Sequence, residues 1–88
     1  MVSKISNLLS IVLEKYLSEG ETSKSINDGL CCYFREDVIN LKGNLKIKSR
    51  IKVDHEFLLY RGRYYDSETL KGVKDWKNLP FYKRLEEK

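Results

Sequence analysis

Apolar residues at Val2, Ile5, Leu8, Leu9, Val12, Leu13, Tyr16 and Leu17 recur three and four positions apart. That period keeps side chains on one face of a helix. It predicts a helix over residues 3–18, stopped by Gly20. The polar, glycine-flanked run SEGETSKSINDG (18–29) reads as one long loop. A second helix is expected from Asn27 or Asp28, either a good N-cap, to about Leu41. Its inward positions are Leu30, Cys31, Phe34, Val38 and Leu41, and Gly43 supplies the stop.

The period then changes to two. In NLKIKSRIKVD (44–54), Leu45, Ile47, Ile51 and Val53 alternate with Lys46, Lys48, Arg50 and Lys52, which predicts a strand with one apolar and one basic face. HEFLLYRGRYYDSE (55–68) follows as two aromatic-rich strands around Arg61-Gly62, a hairpin signal. Past Gly72 the pattern is irregular. Trp76 and Leu79 are expected to dock on the core, and Pro80 to open a short final helix. The expected fold is α+β: two N-terminal helices packed on one face of an antiparallel sheet of about three strands, with a short C-terminal helix.

Composition narrows the class. With 88 residues, 41% hydrophobic and 34% charged, residues 1–88 form a single globular domain with one modest core. No apolar run approaches the ~20 residues of a membrane span, and no membrane partner is expected. The N-terminal apolar stretch is broken by Ser10, ends in Glu14 and Lys15, and lacks a small-residue cleavage site. It reads as part of the fold, which makes the cytoplasm the expected compartment. The net charge of +4 permits an acidic partner without demanding one. Phosphate-loop and dinucleotide motifs are absent, and no cofactor is expected.

The only two cysteines, Cys31 and Cys32, are adjacent. Neighbouring residues bridge only through a strained ring. A structural zinc site wants four ligands, and His55 is the single further strong candidate, so no metal is expected. Buried packing and reactive chemistry both remain open for Cys31, whereas Cys32, a third of a turn away, is expected to pack or to be partly exposed. If Asp28 caps its helix, Cys31 falls in the first turn, where unpaired N–H groups and the helix dipole favour a thiolate. A two-residue loop at Arg61-Gly62 would pair Tyr60 with Arg63 and Phe57 with Asp66. Asp66 then becomes a same-face diagonal neighbour of His55, within side-chain reach.

Two segments carry a resemblance. DGLCCYF resembles the G-x-C-x-x-F/A segment at the nucleophile of transglutaminase-like and NlpC-type cysteine hydrolases. HEFLLYRGRYYDSE resembles the H-x-F/W, strand, G-x-x-Y-D segment that bears their histidine and aspartate. Together they span about residues 27–68, in the order seen in small bacterial and phage members. The resemblance implies a minimal papain-like skeleton with Cys31 as nucleophile, His55 as base and Asp66 as its orienter, acting on a protein or peptide substrate by acyl transfer. The sequence departs from the pattern at Cys32, at Arg35 where alanine is common, and at Asn27, whose offset does not match the oxyanion-hole side chain. The alternative is a small non-enzymatic binding or inhibitor protein, of a kind phages encode. It would use its aromatic hairpin, or the Lys46, Lys48, Arg50, Lys52 row on a protein or nucleic acid.

Overall fold

The computed structural model describes residues 4–87. Val2 and the expected helix start at residue 3 lie outside them. Helix α1 (Lys4–Ser18) buries Ile5, Leu9, Val12, Leu13 and Tyr16, while Leu17 stays exposed. It ends in a Schellman turn: Glu21 N–H bonds Tyr16 O, Gly20 N–H bonds Leu17 O, and Gly20 takes φ +94°.

The expected long loop is mostly helical. Thr22 caps a short α2 (Ser23–Ser25) through a reciprocal capping box with Ser25. A π-helical turn, Ile26–Leu30, continues into α3 (Cys31–Leu41). Asp28 therefore sits inside the helical path and caps nothing; its carboxylate bonds Lys24 at 2.8 Å. The serine-rich composition hid this start, because residues that cap helices also populate loops. Leu30 (φ −117°, ψ 14°) breaks the regular path, so Cys31 opens α3 directly after an irregular turn.

Four antiparallel strands follow in the order β1 (Lys48–Lys52), β2 (His55–Tyr60), β3 (Arg63–Asp66) and β4 (Thr69–Val73). The β2–β3 register pairs Tyr60 with Arg63 and Leu58 with Tyr65 across a two-residue loop. The fourth strand escaped the sequence pattern because TLKGV is short, contains glycine and is only half-buried. Strand β1 departs from its expected two-faced character. Ile51 and Val53 are 68% and 63% exposed, and Ile47, the buried member of the set, precedes the strand, as does Lys46. Ile51 stands on an edge strand that pairs only with β2 among the described residues, and Val53 lies in the turn that follows it.

Alternation along β2 divides the core. Leu58 joins Tyr65 against α1 and α3, with Ile5, Leu9, Val12, Ile26, Phe34 and Val38. Phe57 and Tyr64 point the other way, onto Leu79, Trp76, Phe81 and Tyr82. The 3₁₀ turn Trp76–Asn78 and α4 (Pro80–Glu86) thus cover the second face, and the helices do not all lie on one side. Truncating Phe57, fully buried between layers, would cost about 3–5 kcal/mol.

Candidate functional site

His55 begins β2 immediately after the two-residue loop Val53-Asp54, and its cross-strand partner is Lys52. Carried one step beyond the Leu58–Tyr65 pair, the β2–β3 register sets Asp66 opposite Phe57, a diagonal step from His55 on the same face. His55 Nε2 lies 3.0 Å from Asp66 Oδ2, with the two side chains 0% and 2% exposed. The other carboxylate oxygen, Oδ1, accepts the Glu68 N–H at 3.0 Å and closes the β3–β4 turn. Asp66 is therefore fixed by the backbone before it meets the imidazole. Next to it, buried Ser67 donates its hydroxyl to Ser23 O and ties the turn to α2.

Cys31, half-buried at the head of α3, completes the group. Its thiol interacts with His55, and this contact, together with the Glu56 backbone N–H, holds it below the ordinary thiol range against the opposing effects of burial and the Glu56 carboxylate. Burial would push the imidazole down, but the Asp66 carboxylate and the Cys31 thiol outweigh it and hold His55 above its usual value. Since Nε2 is engaged by Asp66, Nδ1 is the nitrogen left for the sulfur. Among the described residues Nδ1 has no hydrogen-bond partner. The two shifts reinforce each other: the imidazole favours the thiolate form of Cys31, and Asp66 and Cys31 favour the protonated form of His55.

The hairpin parity brings Asp66 to His55 as expected, and Cys31 lies near enough for its thiol to respond to the same imidazole. Cys31 does open α3, but Leu30 and not Asp28 stands at the N-cap, with no side-chain bond to the first turn. What lowers the thiol is the imidazole and a strand N–H. Cys32 is also free and half-buried. An aromatic wall, not anticipated from the sequence pattern, lines the imidazole. Phe81 stacks on the His55 ring at 4.4 Å and 14°, Tyr82 meets it edge-on at 5.6 Å, and Phe57 lies 5.7 Å away. Tyr82, its hydroxyl pushed up to about 12 by burial, donates to Lys52 O and clamps α4 to the end of β1. The signal was present in LPFYKR: an apolar pair after a helix-opening proline has to be buried against something. Asn27, expected as a helix cap and set aside as an oxyanion donor by its offset, lies within the π-helical turn. It is buried, and its Nδ2 has no acceptor among the described residues.

Among the described residues no group of three or more His, Cys, Asp and Glu stands where it could hold a metal ion. No helix there is long and apolar enough to cross a membrane. Comparison with known proteins returns no family model, no curated protein and no solved structure that matches the chain.

Proposed function

We propose that the protein is a cysteine-dependent acyl-transfer enzyme of minimal papain-like build, hydrolysing or transamidating an amide, peptide or thioester. The observation that carries this reading is the buried His55–Asp66 pair, 3.0 Å apart, whose imidazole also holds the nearby Cys31 thiol below its ordinary range. A solvated surface histidine needs no such partners. A buried imidazole held at one nitrogen and left to a thiol at the other is built to move a proton.

The chemistry follows from the residues. Cys31 Sγ, as thiolate, attacks the acyl carbon and forms a thioester. His55 passes its Nδ1 proton to the departing amine or thiol. Asp66 keeps the other proton on Nε2, which fixes the tautomer and stabilises the imidazolium. Water or an amine then attacks the thioester, giving its proton to His55, and Cys31 leaves as thiolate. Asn27, with its amide N–H groups free of protein acceptors among the described residues, is our candidate for the oxyanion donor. Phe81 and Tyr82 shield the imidazole from water, which strengthens each charge interaction within the site.

The test is acylation by p-nitrophenyl acetate followed by peptide mass spectrometry. A burst of nitrophenolate with an acetyl group on Cys31 is expected, absent in Cys31→Ala. Slow, equal acetylation of both cysteines would remove the enzymatic reading.

A further inference from the structure

The two edges of the sheet are treated differently. At β4, α1 packs along the strand, and Ser6 donates its hydroxyl to Leu70 O at 2.6 Å. Among the described residues strand β1 pairs only with β2, and Ser49, Ile51 and Lys52 are all exposed. The direction of its free hydrogen-bonding groups follows from the register. Lys52 and His55 close the two-residue loop whose central residues have φ +39° and +62°. The closing pair of such a loop exchanges its own N–H and C=O bonds, and the pairing alternates from there. Lys52, Arg50 and Lys48 therefore spend their backbone groups on β2, whereas Ile51 and Ser49 direct theirs outward. The one outward acceptor with a partner among the described residues confirms the parity: Ser49 O is taken by the Arg50 guanidinium at 3.0 Å.

The same alternation sorts the side chains. Lys48, Arg50 and Lys52 lie on the face of Leu59, Phe57 and His55, and Ile51 lies on the face of Glu56. A free edge with exposed β-branched residues invites another strand. A second copy is a poor occupant, because β1 paired with β1 would set two rows of cations against each other at strand spacing. An occupant of opposite charge meets no such penalty. Its carboxylates would also draw the Arg50 guanidinium off Ser49 O and free that acceptor.

We propose that the free edge of β1 docks an extended acidic segment of a partner protein as a fifth strand. Alternate Asp or Glu side chains of that segment face Lys48, Arg50 and Lys52, and the intervening apolar side chains lie against Ile51. Its backbone bonds Ser49 and Ile51. Affinity comes from the backbone ladder and selectivity from the alternating charges. The inference stands apart from the acyl-transfer reading, since no residue of the Cys31, His55, Asp66 group takes part.

The experiment titrates the 88-residue chain into a fluorescein-labelled Glu-Val-Glu-Val-Glu-Val-Glu peptide, read by anisotropy, with amide exchange followed on the protein. Saturable binding is expected, with new protection at the Ser49 and Ile51 amides. N-methylating alternate peptide nitrogens, which leaves the protein untouched, should weaken binding at least tenfold. Reversing Lys48, Arg50 and Lys52 to glutamate should do the same, and a Lys-Val peptide should not bind. Equal binding of the N-methylated peptide would reduce the edge to a charge patch and overturn the proposal. Absence of saturable binding, or tighter binding of a single-stranded RNA oligonucleotide that shifts no edge amide, would overturn it as well.

Discussion

Replacing Asp66 by asparagine is expected to silence Cys31 while the chain stays folded. The structure gives the two carboxylate oxygens separate tasks. Oδ1 accepts the Glu68 N–H, and Oδ2 faces His55 Nε2. In the Asp66→Asn variant the turn still demands an acceptor at the first position, so the amide NH₂ is forced into the second. There it meets Nε2–H, donor against donor. The ring must move its proton to Nδ1, the nitrogen left for the thiol, and can no longer accept one from Cys31. A charge-assisted hydrogen bond of about 1.5–3 kcal/mol is lost. At 1.4 kcal/mol per decade this lowers the population of the thiolate–imidazolium pair about ten- to hundredfold. Urea denaturation should show a stability loss of the same size or less, because the Glu68 bond survives. The readout is the pseudo-first-order rate of iodoacetamide labelling at Cys31, by peptide mass spectrometry, with Cys32 as internal reference. An unchanged Cys31 rate in a folded Asp66→Asn protein would rule out the orienting role of Asp66.

Asn27→Ala should lower acetylation of Cys31 by p-nitrophenyl acetate about 10²–10³-fold and leave iodoacetamide labelling unchanged, since displacement of iodide develops no oxyanion; parallel loss of both rates would make Asn27 a packing residue. The pH dependence has two signs. The lowered Cys31 thiol contributes stability that is complete above the unfolded thiol value, about 8.5, and lost as pH falls through the folded value. The raised His55 contributes below about 6.5 and is lost as pH rises through its folded value. The stability gap between wild type and Cys31→Ser, measured in urea, should accordingly widen as pH rises towards about 8.5. Val53 at φ +39° and Asp54 at φ +62° hold a left-handed turn without glycine, so Val53→Asn with Asp54→Gly should stabilise the fold by about 1–2 kcal/mol in the same assay. Gly72→Ala should cost at least about 2 kcal/mol, because φ is +77° and a Cβ would stand 2.7 Å from the buried Tyr65 ring; a thermal melt within a degree of wild type would contradict that geometry.

The local order of the chain was legible wherever one residue spacing dominates. The period in α1 marked its buried face, and the single Arg61-Gly62 turn set the parity that brings Asp66 to His55. Both depend on short-range geometry: a helical repeat, and a two-residue loop whose twist matches its strands. The start of the second helical path was misread because Thr22 and the serines after it suit a cap and a loop equally. Other features were settled only by chain segments far apart in sequence. The alternating pattern of β1 implied burial for Ile51 and Val53, yet both stand exposed: β1 is an edge strand that pairs only with β2 among the described residues, and Val53 falls in the turn after it. TLKGV is too short and too weakly apolar to signal a strand, and gains its ladder by lying beside β3. The environment of Cys31 shows the division most clearly. A helix dipole could be argued from residues 28–31 alone, but the groups that lower the thiol are an imidazole and a strand N–H more than twenty positions away, held beside it by the packing of α3 on β2.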